Sequence, residues 1–128
     1  VVDKVCPEVV YTTPGGDVNQ DHRIVHDCTL VATRPLPNNP VRRLLSYEIG
    51  PTMRFAGPAG LSGVSPTVFV DISEYLDQKL KAMECYKTEL REYPHPRSLR
   101  GLRLIAEERG LSVGLRAAES FQLIRELV

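Results

Sequence analysis

The chain has 128 residues, of which 42% are hydrophobic and 25% charged, and its 16 Lys and Arg balance 16 Asp and Glu. That is the composition of a folded globular domain or a piece of one, and it excludes a collagenous, low-complexity or disordered chain. Zero net charge argues against a broad phosphate-binding surface, so nucleic acid is not an expected partner.

Three cysteines, Cys6, Cys28 and Cys85, stand at wide spacing and form neither a disulfide framework nor a zinc-ribbon set. No apolar run approaches the roughly 18 residues of a membrane helix. A reducing, cytoplasmic location is therefore the default expectation. The opening VVDKVCPEVVYT reads as the middle of a folded unit and predicts further polypeptide upstream.

Val9-Val10-Tyr11-Thr12, stopped by Pro14-Gly15-Gly16, predicts a short buried strand. From about Gln20 the apolar positions Ile24, Val25, Cys28, Val31 and Ala32 recur at helical spacing up to Arg34-Pro35, with Asn19 or Asp17 as the N-cap. Leu44 to Ile49 predicts a second strand. Glycines and prolines interrupt the stretch from Gly50 to Pro66, which predicts a long surface loop with Arg54 and Phe55 within reach of a substrate.

Thr67 to Val70 predicts a third strand. Asp71-Ile72-Ser73-Glu74 has the form of a capping box opening a long helix to about Glu92, with Leu76, Leu80, Met83, Tyr86 or Lys87, and Leu90 as its buried stripe. Met83, Cys85 and Tyr86 are expected to pack. A shorter helix runs from Ser98 to Gly110 with Leu99, Leu102 and Ile105 on one face, and Glu119 to Val128 fits strand or helix equally. Strands alternating with helices predict an α/β fold, a Rossmann-like, mostly parallel sheet with flanking helices. Ligands collect beyond the carboxyl ends of such strands, so the loop from Pro14 to His22 is where chemistry is expected.

That loop ends in Asn19-Gln20-Asp21-His22, with His26 four residues on, the densest group of metal-compatible and acid/base side chains in the chain. In the first helical turn the helix dipole disfavours the imidazolium and keeps His22 neutral, as a metal ligand must be. Asp21 is a candidate to orient the ring or a neighbour. His26 shares the helical face of His22 and is expected to satisfy a local polar contact. A catalytic zinc needs about three protein ligands plus water, and this segment supplies one or two. Gly15-Gly16 lacks the spacing of a phosphate-binding loop. The arginines at 42, 43, 97, 100 and 103 have acidic residues interleaved and read as solvated faces.

The stretches GDVNQDHRIVHDCTLVATRP, RRLLSYEI, PTVFVDISEYLDQKLKAMECYKTEL, HPRSL and AAESF occur in the order of a known family, and the chain resembles the carboxyl-terminal half of the LmbE/PIG-L family of zinc-dependent N-deacetylases. The resemblance covers almost all 128 residues as the carboxyl-terminal part of a single domain. It implies a metal-dependent hydrolase that removes an N-acetyl group, commonly from an N-acetylglucosamine-containing conjugate. It makes His22 a ligand of zinc, or of another divalent ion, and Asp21 part of the active-site hydrogen-bond network.

Many family members carry a His where this chain has Asn19. An amide donates a hydrogen bond to a developing oxyanion but transfers no proton at neutral pH. The family's two other metal ligands and its general base lie in an Ala-His-Pro-Asp-Asp motif that these 128 residues lack. His95-Pro96 corresponds to a different family segment. The resemblance thus implies an enzyme competent only with that motif; the alternatives are a non-catalytic α/β binding or assembly module of this fold, or a nucleotide-binding domain at Gly15-Gly16. The resemblance implies a small-molecule glycoconjugate as partner, while a parallel sheet without its leading strand exposes an edge and apolar helix faces, which predicts self-association as a homo-oligomer.

Overall fold

A computed structural model describes residues 2–55 and 65–128, with backbone alone for 51–53. Contacts within the chain form two compact units, Val1–Val68 with Phe121–Val128, and Phe69–Ser120.

In the first unit a short helix α1 (Val2–Val5) precedes β1 (Val9–Thr12), α2 (Gln20–Ala32), β2 (Arg43–Tyr47) and α3 (Gly50–Phe55). β1 and β2 pair in parallel from Val9↔Arg43 to Thr12↔Ser46. A parallel pair needs a crossover rather than a hairpin, and α2 supplies it. The last strand β4 (Ala118–Glu126) returns antiparallel to β2, from Arg43↔Glu126 to Tyr47↔Phe121, with a register shift between Leu44 and Leu45.

β2 therefore has a strand on each side, and its Leu44, Leu45 and Ser46 are 0%, 2% and 1% exposed. Among the described residues β1 has a neighbour on one side only. The strand predicted as buried is an edge strand, with Val9 and Tyr11 exposed and Thr12 buried. Tyr11 lays its ring against that of Phe121, with centroids 5.3 Å apart.

α2 starts at the predicted residue and stops at Thr33, whose hydroxyl donates to the Thr29 carbonyl while its own carbonyl accepts from Arg125. Arg34-Pro35 prevents continuation, because proline disfavours helical backbone in the residue before it. The apolar positions of α2 are where the periodicity puts them, yet no residue of the helix is buried. Gly50–Phe55, read from sequence as loop, is the short helix α3. The rest of that predicted loop, 56–64, lies outside the described residues.

In the second unit β3 (Val68–Asp71) leads to α4 (Leu76–Glu84) and α5 (Leu99–Leu111) before β4 begins. Ile72, Leu76, Ala106 and Ala117 form its buried cluster. The predicted capping box does not form. The carboxylate of Asp71 instead turns the chain onto Ser73, accepting from its N–H at 2.9 Å and its hydroxyl at 2.6 Å, and the helix begins at Leu76. It ends at Glu84, so Cys85 and Tyr86 lie beyond it and are exposed rather than packed. Leu76 and Leu80 are buried as expected.

α5 matches its prediction closely: the Ser98 hydroxyl accepts from the Gly101 N–H at 2.9 Å as a true N-cap. Gly110 is not past the end but inside the last turn, where a Cβ would stand 2.7 Å from Ala117 N and Leu115 O.

The four strands make one sheet in the order β1-β2-β4-β3. The fold is α/β with flanking helices, and the sheet is mixed, which corrects the expectation of a mostly parallel one. The tail left open between strand and helix is the antiparallel strand β4.

Candidate functional site

β1 runs straight into the site. Its last residue is followed by Thr13 and Pro14, both buried, and the chain then turns through Gly15-Gly16 to Asp17, which is 1% exposed. Asp17 uses both carboxylate oxygens. Oδ1 accepts the backbone N–H of Asn19 at 2.8 Å, closing an Asx turn that launches the helix, and Oδ2 accepts from Nδ1 of His22 at 2.9 Å. The carboxylate side chain is fully enclosed while the imidazole is 27% exposed. A proton on Nδ1 leaves the lone pair on Nε2, for which no partner is found among the described residues.

Thr13 fixes the helix against the strand end. Its hydroxyl donates to the His22 carbonyl at 2.6 Å, and its own carbonyl accepts from Nδ1 of His26 at 2.7 Å. The local polar contact expected of His26 is this one. Gly15 belongs to the same arrangement: a Cβ there would come within 2.9 Å of the His26 ring. The glycine thus has a packing reason that involves no phosphate.

Asp21, singled out from sequence to orient the ring, is exposed on α2, and Asp17 takes that place instead. Asn19 is the N-cap residue by backbone but makes no side-chain cap bond. Asp17 is the residue that reading by adjacency missed. The signal was present as an Asp two residues before a helix-capping Asn, the spacing of an Asx turn.

The loop after β2 reaches the same end of the sheet, because the two strands are parallel and in register at Thr12↔Ser46. It carries Glu48, whose side chain is 8% exposed and binds Nη1 of Arg54 at 2.9 Å. Thr12 Oγ1 and Ser46 Oγ, buried at those paired strand ends, have no hydrogen-bond partner among the described residues.

Among the described residues no three His, Cys, Asp or Glu side chains come together as a metal cluster. What the described residues offer a metal here is one imidazole with its far nitrogen anchored by a buried carboxylate, the outer-shell arrangement that orients histidine ligands. His22 fits the part of a single ligand. The cysteines are exposed and unpaired with one another, and among the described residues no helix is long and apolar enough to cross a membrane.

In the second unit an ion pair between Lys79 and Glu119 ties α4 to the start of β4. His95 accepts the Arg97 N–H on Nδ1 at 3.0 Å. Arginines of both units form surface contacts: Arg97 with Glu89, Arg103 with Asp77, Arg43 with Glu126, and Arg100 over the Tyr93 ring.

No protein-family profile matches the chain, and no curated protein sequence matches it. Among solved structures it is similar to the crystal structure of a conserved protein from Thermus thermophilus, with a TM-score of 0.71 at 21% identity. The match covers 99% of this chain and 56% of that one, so the chain spans little more than half the length of its structural neighbour. At that identity the likeness speaks for the fold alone.

Proposed function

We propose that the chain contributes one ligand, His22, to the metal centre of a zinc-dependent N-deacetylase acting on an N-acetylglucosamine-type conjugate. The observation that carries this reading is the Asp17–His22 pair: a fully enclosed carboxylate 2.9 Å from Nδ1, on an imidazole that is 27% exposed. It sits where the loop leaves the carboxyl end of a parallel strand. The sequence resemblance to the LmbE/PIG-L family supplies the reaction class. Zinc would be held by His22 through Nε2, and the remaining ligands and the general base would come from polypeptide other than the described residues.

When bound, a divalent metal polarises an amide carbonyl and acidifies water. The residues of this chain have narrower tasks. Asp17 fixes the tautomer and ring plane of His22, so that the nitrogen facing outward is the basic one. Thr13 pins the first turn of α2 by its bond to the His22 carbonyl. The Asn19 side chain, uncommitted to capping, donates an N–H to oxygen as negative charge develops there. It carries no titratable proton, so protonation of the leaving amine falls to another group.

The test uses the full gene product. Purified protein should hold zinc in stoichiometric amount and release acetate from an N-acetylglucosamine conjugate. His22→Ala should lose both, since a three-ligand site deprived of one ligand fails in affinity and geometry. Zinc content and turnover unchanged in that variant would exclude the role, and a wild-type protein without zinc or turnover would favour a non-catalytic module of the same fold.

A further inference from the structure

Resting on the reading above, we propose that His26 is a positioning residue for that metal centre: it locks the rotation of α2, and so the place from which His22 reaches the ion. Both histidines are tied to one residue at the strand end. Thr13 donates its hydroxyl to the His22 carbonyl at 2.6 Å and accepts from Nδ1 of His26 on its own carbonyl at 2.7 Å. A carbonyl has no proton to give, so Nδ1 of His26 is the protonated nitrogen. The His22 carbonyl is also the one that helical geometry pairs with the His26 N–H. Thr13 therefore grips a single turn of α2 at two points.

The second point matters because apolar packing does not fix this helix. No residue of α2 is buried. Asp17 holds the loop and the His22 ring, and the turn that follows is held from the strand end by Thr13. With one of its two bonds removed, that turn pivots about the other. A pivot of about 10° moves an atom at a side-chain radius of ~6 Å by about 1 Å. Metal–ligand distances are held to within about 0.2 Å, so a movement of that size takes the ring out of reach.

The loop is also shaped around the His26 ring. A Cβ on Gly15 would stand 2.9 Å from Cδ2 and 3.0 Å from Nε2 of His26. The backbone of Gly15 is not left-handed, so conformation alone does not call for glycine there. The imidazole does: residue 13 accepts its hydrogen bond and residue 15 makes room for it.

The experiment compares His26→Asn, His26→Leu and Gly15→Ala in the full gene product, by zinc titration against a chelator, nitrogen-15 shifts of His22 in the metal-free protein, and thermal melting. Asparagine places an amide N–H where Nδ1 stood; leucine fills the space without a donor. His26→Leu should bind zinc about tenfold more weakly, the lower end of what losing a hydrogen-bond partner behind a histidine ligand costs. Its His22 shifts should move toward a tautomer mixture. His26→Asn should keep the wild-type affinity and shifts, whatever its melting temperature. Gly15→Ala should weaken zinc as His26→Leu does, and in the His26→Asn background, where Cδ2 and Nε2 are gone, it should cost nothing further.

Zinc affinity and His22 shifts unchanged in His26→Leu, a His26→Asn variant as weak as His26→Leu, or an effect of Gly15→Ala undiminished by His26→Asn would each overturn the assignment. The two readings fail separately. A wild type that holds no zinc removes the deacetylase, and the His22 shifts of the metal-free protein then decide whether His26 positions that ring. Zinc-dependent turnover lost in His22→Ala but indifferent to His26→Leu keeps the deacetylase and removes this role.

Discussion

At the scale of single residues the site turns on which carboxylate faces the imidazole. Asp21 is the neighbour in sequence, but in the first helical turn adjacent side chains point about a quarter-turn apart. Asp17, in the loop, is the residue whose oxygen meets Nδ1. Asp17→Asn keeps the size and an acceptor oxygen while removing the charge that favours a proton on Nδ1. Nitrogen-15 shifts of His22 should show one dominant tautomer in wild type and a mixture in the variant, with zinc affinity of the full gene product down by about 10-fold to 100-fold. The same variant of Asp21 should change neither.

Buried polar atoms give a contrasting case. The Thr12 hydroxyl is enclosed without a partner among the described residues, and an unpaired buried hydroxyl is a cost rather than a gain. Thr12→Val, which keeps the shape, should leave stability unchanged or raise it by up to about 1 kcal/mol. A clear loss in denaturant titration would show that the hydroxyl is bonded in solution.

At the scale of elements, sequence pattern is legible where one local rule acts alone and misleading where two compete. Ser98 caps α5 by accepting the Gly101 N–H, and the spacing of Leu99, Leu102 and Ile105 places that helix within a residue. Asp71-Ile72-Ser73-Glu74 obeys the capping-box pattern equally well, but Asp71 is still strand and its carboxylate is taken by Ser73 two residues on. A short-range Asx turn wins over a cap because it orders fewer residues. The tail from Glu119 is ambiguous in sequence because its neighbour β2 lies far away along the chain, and pairing across that distance leaves no local signature.

The Asx turn carries a pH prediction. The hydroxyl bond from Ser73, and then its backbone N–H, favour the charged form of Asp71 and hold its carboxyl below the ordinary carboxylate value. A carboxyl lowered on folding adds stability above the unfolded value and loses it as pH falls through the folded one. Ser73→Ala removes the larger of the two causes, so NMR titration of the Asp71 carboxyl should show its midpoint moving upward. No movement would mean that the hydroxyl bond does not persist in solution.

Glycine belongs to this scale too, since α5 tolerates close neighbours only where a side chain is missing. A Cβ on Gly101 would stand 2.8 Å from the carbonyl oxygens of His95 and Pro96, and these are backbone atoms that cannot swing aside. Gly101→Ala should cost about 1–3 kcal/mol, as overpacking does, even though alanine is the better helix former. A stabilised variant in thermal melts would show that the approach of the 95–96 backbone is looser than described.

At the scale of the whole molecule, the notable quantity is apolar surface left in water by the first unit. The periodicity of α2 is plain in the sequence, and what sequence does not supply is what the stripe faces: Ile24, Val25 and Val31 are 52%, 50% and 56% exposed. β1 adds Val9 and Tyr11, at 42% and 55%, on a strand that stands at the edge of the sheet among the described residues. Parallel strands are normally covered on both faces, and an open edge beside apolar side chains is a template for association. The 128-residue chain by itself should therefore self-associate with a concentration dependence visible in sedimentation. Ile24→Lys with Val31→Lys should shift it toward monomer while leaving the helix intact, because lysine is as good a helix former as the residues replaced. Sedimentation as a single monomeric species at every concentration, in wild type as in the double variant, would show that this surface is content in water, and the expectation of a homo-oligomer would go with it.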